Sequence, residues 1–236
     1  MDKVLEIAKM IDHSLLHPTL TDKELEEGCE IARRCHAASA CVKPCHIRRT
    51  AELLRGSDVI VCGVIGFPHG NSTTKVKVFE TEQAMDDGAT EIDMVVNIGK
   101  VLSGDWAYVE AEIKAISDAV KSRNCSLKVI FENDYLEDSH KIRLCEICSR
   151  EKVAFVKTST GYNFVKTEDG KYFTYKGATD HDLALMRKHS DPSVQVKAAG
   201  SVSNLDAILR VKALGVTRVG TKGTEAIVEA ARARFG

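Results

Sequence analysis

No run of like charge stands out in this 236-residue chain, and 33 Lys and Arg face 34 Asp and Glu for a net charge of −1. A nucleic-acid-binding surface shows as a basic excess, so that class is excluded, while small neutral or anionic metabolites stay open as partners. The longest apolar runs, such as DVIVCGVIGF, are far too short to span a bilayer. No Gly-x-Gly-x-x-Gly follows the first strand-like segment, and there is no Walker-type glycine-lysine loop. Neither HExxH nor a compact His/Asp cluster proposes a metal. No secretory leader precedes the eight cysteines, which are scattered within apolar or helical patterns; this predicts reduced thiols in a soluble, cytoplasmic protein. Cys145 and Cys148 form a C-x-x-C without a second pair, so buried thiols are expected there in place of a zinc or redox site.

What is present is an alternation. AKMIDHSLL, SACVKP, VIVCGVIGF, EIDMVVNIG, SLKVIFEN, VAFVKTSTG, VQVKAAGSV and TRVGT read as strands, with helix-like patterns between them. One helix follows Thr21-Asp22, with Leu25, Cys29, Ala32 and His36 along one face; another opens at Ser203 and stops near Gly215. The longest helical pattern covers 106–122. Eight strand–helix units predict a single (β/α)8 TIM barrel over 1–236, with an open doubly wound sheet as the rival.

Polar residues gather at one end of these strands. Asp12 and His13 follow Met10-Ile11, Lys43 follows Cys41-Val42, and Asp93 and Asn97 lie in or after EIDMVV. Glu132 and Asn133 close VIFEN, Lys157 closes AFVK, and Lys197 sits in VQVKAAG. Taken alone, a lysine at a strand end is a solvated residue at a loop edge, and an aspartate in a strand is a structural hydrogen-bonding group. Two lysines and an aspartate inside three otherwise apolar strands need one another as partners. A lysine near a second cation has its ammonium disfavoured, so it can act as a nucleophilic amine and form an iminium with a carbonyl. A carboxylate, directly or through water, can move the protons. The trio predicts lysine-aldolase chemistry without a metal or cofactor. KTSTGY, KAAGSV and RVGTKG each add a glycine beside a strand end, where bare N–H groups can cradle a phosphate.

At these residues the chain resembles the deoxyribose-phosphate aldolase family, class I aldolases of (β/α)8 fold. The likeness runs through IDHSLLHPTLTD, ACVKP, GVIGFPHGNSTTKVKVFE, EIDMVVNIGKVLSGDW, KVIFE, FVKTSTGY, VKAAGSV and RVGT, nearly the whole chain. The resemblance implies that Lys157 forms the Schiff base, Lys197 lowers its pKa and Asp93 is the acid/base group working through water. It implies a sugar phosphate and an aldehyde as small-molecule partners, with no cofactor beyond the lysine itself. Cys41 would lie near the substrate, and Thr158, Gly161, Gly200, Ser201, Gly220 and Lys222 would line the substrate and phosphate site.

Four features depart from the family pattern. Ser201 stands where a second glycine is usual, Lys222 and Gly223 replace a small-hydroxyl pair, and Lys43 replaces an asparagine. A longer connection, with a hairpin expected around 163–177, follows TSTGY. These departures leave three readings: the family reaction, a related lysine aldolase with another phosphorylated or acidic substrate, and a non-catalytic sugar-phosphate-binding barrel. The insertion and the apolar barrel exterior suit a homodimer or higher homo-oligomer.

Overall fold

In the computed structural model, which describes residues 2–236, strands and helices alternate along the chain. The order is α1 (Lys3–Ala8), β1 (Ile11–Leu15), α2 (Asp22–Arg34), β2 (Ser39–Val42), α3 (Ile47–Leu53), β3 (Ile60–Ile65) and α4 (Thr74–Asp86). It continues with β4 (Glu91–Val95), α5 (Ile98–Leu102), α6 (Trp106–Lys121), β5 (Ser126–Ile130), α7 (Asp138–Arg150) and β6 (Phe155–Lys157). Then come β7 (Val165–Lys166), β8 (Phe173–Thr174), α8 (Asp180–His189), β9 (Gln195–Ala199), α9 (Leu205–Ala213), β10 (Val216–Thr221) and α10 (Thr224–Phe235).

Eight parallel strands close in the order β1-β10-β9-β6-β5-β4-β3-β2. Closure removes every sheet edge and excludes the open doubly wound rival. Seven of the eight barrel strands fall within the apolar segments expected, and β10 begins one residue before TRVGT, at Val216. Helix limits slip by a residue or two. Thr21 and Glu24 form a capping box on α2, and Leu25, Cys29 and Ala32 are buried beneath it. His36, expected on the same stripe, lies beyond the Cys35 cap with a φ of 55° and is exposed. The cap of α9 is Asn204, not Ser203: its Oδ1 accepts from the Ala207 N–H at 2.8 Å. Both residue types cap well, so composition alone does not choose between them.

The apolar core lies between strands and helices, with Leu25, Ile47, Ile113, Ile116, Leu144 and Val211 fully buried there. One charged pair is buried in the same layer. Lys77 of α4 donates to Glu112 Oε1 of α6 at 2.9 Å and to the Val95 carbonyl at 2.8 Å. Glu112 Oε2 accepts from the Asn97 N–H at 3.0 Å, so the pair holds the exit of β4. β7 and β8 form a separate antiparallel pair in register Val165–Thr174 and Lys166–Phe173. Asp134 ties both ends of this hairpin down. Its Oδ2 accepts from Asn163 Nδ2 at 3.1 Å, Lys176 N–H at 2.8 Å and Gly177 N–H at 3.3 Å.

Candidate active site

The lumen of a (β/α)8 barrel is ordinarily filled by branched apolar side chains. Here it holds a charged network, because alternate residues of six strands point inward with ionisable ends. Asp93 on β4 is its centre. Lys157 on β6 and Lys197 on β9, register neighbours, each donate to Asp93 Oδ2 at 2.7 Å. Lys128 on β5, the register neighbour of Asp93, donates to Oδ1 at 2.9 Å. Lys197 also meets Asp12 Oδ2 at 2.5 Å, and Asp12 Oδ1 accepts from Ser39 and from Arg218, each at 2.7 Å. Glu91 pairs with Lys128 at 2.5 Å and with Arg218 at 2.9 Å.

The electrostatics follow from this packing. Burial alone would raise the Asp93 carboxyl, but Lys128, Lys157 and Lys197 overcome it and hold the group well below the usual carboxylate range. Asp12 is held down in the same way by Lys128, Lys197 and Arg218. Burial disfavours the ammonium groups of Lys128 and Lys197, yet Asp12 and Asp93 more than reverse this and hold both above their ordinary value. Three carboxylates (Asp12, Glu91, Asp93) are thus matched by three bases (Lys128, Lys197, Arg218). Lys157 is a fourth base, sharing Asp93 with Lys128 and Lys197.

Above the network opens a cavity of about 540 Å³. Of the four bases, Lys157 alone lines it, at its floor, although its side chain is nearly buried. Gly161, Gly200, Ser201, Gly220 and Lys222 line the same cavity. Cys41 and Thr158 do not border it. Cys41 is buried among Leu16, Cys62 and Val64, with Tyr162 packed against them. Thr158 Oγ1 donates to the Ala199 carbonyl at 3.1 Å and accepts from the Ala199 N–H at 3.0 Å, clamping β6 to β9.

The remaining polar candidates have structural roles. Lys43 does not border the cavity and donates to the carbonyls of His17, Pro18 and Leu20 at 3.0, 3.5 and 3.4 Å. Glu132, nearly fully buried with a φ of 60°, accepts from the Thr160 N–H and from Asn163 Nδ2. Burial raises its carboxyl above the usual range. The thiols of Cys145 and Cys148 are fully buried, and burial pushes Cys145 up to about 11, so this C-x-x-C is inert packing.

Lys128, Arg218, Glu91 and Cys62 were not apparent from the sequence. Cys62 Sγ accepts from Lys128 and donates to Asp93 Oδ1, both at 3.1 Å, and burial pushes its thiol up. An ionisable residue inside a strand was the available signal, and SLKVIFEN and TRVGT both carry one.

A lysine, a carboxylate and a second lysine in contact beneath a glycine-rimmed cavity define a site that known proteins can be compared with. Residues 6–218 match the description of a DeoC/LacD family aldolase. The chain is 48% identical over 231 residues to the deoxyribose-phosphate aldolase of Rhodopirellula baltica, covering 98% of this chain and 91% of that one. It is 40% identical to the enzyme of that name from Treponema denticola, covering 95% and 99%. A tetrameric deoxyribose phosphate aldolase from Aeropyrum pernix superposes with a TM-score of 0.86 at 25% identity, over 98% of this chain and 93% of that chain. Barrel, buried lysines and near full-length similarity agree: this chain belongs to the DeoC/LacD aldolase family.

Proposed function

We propose that the chain is a class I aldolase that reversibly cleaves 2-deoxy-D-ribose 5-phosphate to D-glyceraldehyde 3-phosphate and acetaldehyde. The observation that carries this reading is the position of Lys157: it is the one amine of the network that borders the cavity, and it lies 2.7 Å from the central carboxylate Asp93. Its Nζ attacks C1 of the open-chain sugar, and loss of water from the carbinolamine leaves an iminium. The C3 hydroxyl then gives up its proton and C3 becomes the aldehyde of the departing glyceraldehyde phosphate. The C2–C3 bonding pair moves into the iminium to give an enamine. Protonation at C2 and hydrolysis release acetaldehyde and free the lysine.

Asp93, in contact with Lys157, relays these protons through water, and protonated Lys197 keeps that carboxylate ionised. The backbone of Gly161, Gly200 and Gly220 and the exposed Lys222 take the phosphate at the rim. No further cofactor enters this scheme. The eight free cysteines suit a cytoplasmic setting, and no helix among the described residues is long and apolar enough to cross a membrane.

The deciding experiment has two readouts. With chelator present, kcat/KM for 2-deoxyribose 5-phosphate should far exceed that for 2-deoxyribose. Borohydride with acetaldehyde should attach one ethyl group, and peptide mapping should place it on Lys157. Cleavage of neither sugar, or an ethyl group carried elsewhere, would remove the assignment.

A further inference from the structure

The residue that departs from the glycine pattern and the hairpin insertion meet in space. Ser201 holds a φ of 61°, a left-handed conformation in which a side chain is strained and a glycine would not be. Its hydroxyl donates to the Lys176 carbonyl at 2.7 Å, at the end of the hairpin. Asp134 grips the same end through the N–H groups of Lys176 and Gly177. What these bonds hold in place is Tyr175, one residue earlier, which lines the cavity together with Lys157.

The tyrosine hydroxyl lies on bare backbone. A Cβ added to Gly200 would fall 1.7 Å from it, and one on Gly177 or Gly161 would fall 3.0 or 3.7 Å away. All three glycines have positive φ, so the phenol oxygen sits in a cup that only glycines can form. The neighbouring Ser159 hydroxyl is fully buried and lies beside the phenol oxygen without a hydrogen bond of good geometry. Any bond it forms there donates to that oxygen and lowers the phenol, so the tyrosine's own proton stays available to a ligand. Burial first, then the carboxylates of Glu132 and Asp134, push the phenol above its ordinary value, so it remains a donor at neutral pH.

We propose that Tyr175 is a specificity-determining residue: held over the glycine cup by Ser201 and Asp134, its hydroxyl donates a hydrogen bond to the phosphate of the substrate. This rests on the phosphate reading of the rim given above. Gly161 and Gly200 belong to both the cup and the rim, so the hairpin is a wall of the site. Ser201 is a positioning residue, its side chain acting on the substrate through Lys176 and Tyr175.

The test is steady-state kinetics of the full-length enzyme and of Tyr175→Phe, Tyr175→Ala, Ser201→Gly and the Tyr175→Phe/Ser201→Gly double variant, on phosphorylated and free 2-deoxyribose. Losing a donor to a charged group should raise KM for the phosphorylated sugar about tenfold in Tyr175→Phe, and lower the preference for that sugar by the same factor. Ser201→Gly should raise that KM severalfold without lowering Tm, and should add nothing once the tyrosine hydroxyl is gone. Additive effects would show that Ser201 reaches the substrate by another route and overturn the latch. A lower KM in Tyr175→Ala would make the phenol an obstruction and overturn its role as donor. A wild-type preference for the phosphorylated sugar that Tyr175→Phe leaves intact overturns this inference alone; a wild type with no preference overturns the phosphate reading with it.

Discussion

Lys157 and Lys222 are both lysines at strand ends, yet one is buried and the other exposed, and the proposed function gives them opposite tasks. Lys157 is nearly buried against Asp93, and in the proposed mechanism it reacts through its nitrogen lone pair, so Lys157→Leu should abolish turnover and borohydride trapping. Substantial residual cleavage would refute the role. Lys222 is exposed at the rim, where the proposed function uses it as a point charge, so Lys222→Ala should raise KM for the phosphorylated sugar about tenfold, and far more than for the free sugar. Equal effects on both sugars would place it outside the phosphate site. Lys157, Lys197 and Asp93 were legible because ionisable groups inside apolar strands are costly without partners. Lys128 and Arg218 were passed over in the same kind of position. Lys128 shares a strand face with Ser126, and Arg218 directly follows Thr217, so each cation reads as part of a polar strand end. Which face of a strand looks into the lumen is decided by register, here Asp93 beside Lys128 and Lys197 beside Arg218, and register is not written in one strand's own pattern.

At the scale of elements, β4 carries the central carboxylate and is held from behind by the Lys77–Glu112 pair. Both side chains are fully buried, and burial opposes the charge on each: Lys77 is lowered and Glu112 raised from their ordinary values. Lys77→Met leaves Glu112 buried and uncompensated, a loss of about 3–5 kcal/mol, whereas Lys77→Met with Glu112→Leu should recover most of it. Thermal denaturation of both variants checks this, and a double variant no more stable than the single one would refute it. The strands were readable because apolar runs bounded by polar residues have few alternatives. This pair was not, because α4 inverts the usual rule. It exposes Val76 and Phe79 and buries Lys77 between them, so hydrophobic periodicity puts the wrong face inward.

For the molecule as a whole, a charged lumen makes stability depend on acid. Asp12 and Asp93 have folded pKa values below their unfolded ones, so their contribution is complete above about pH 4, the unfolded carboxyl range, and is lost as pH falls below it. His13 acts in a higher window. It is buried at the end of β1, its Nδ1 lies 2.7 Å from Thr224 Oγ1 of α10, and burial lowers it to about 4 from the ordinary 6.5. The folded state keeps the imidazole neutral while the unfolded chain binds a proton. Its contribution is therefore complete above about pH 6.5 and shrinks as pH falls toward 4, by on the order of 3 kcal/mol in all. The fall in Tm between pH 6.5 and 4 should be shallower in His13→Asn than in wild type, and the steep loss below pH 4 should remain in both. Parallel Tm curves through the upper window would show that His13 takes up its proton in the folded protein as readily as in the unfolded chain, and that the seam between β1 and α10 is not what acid attacks first.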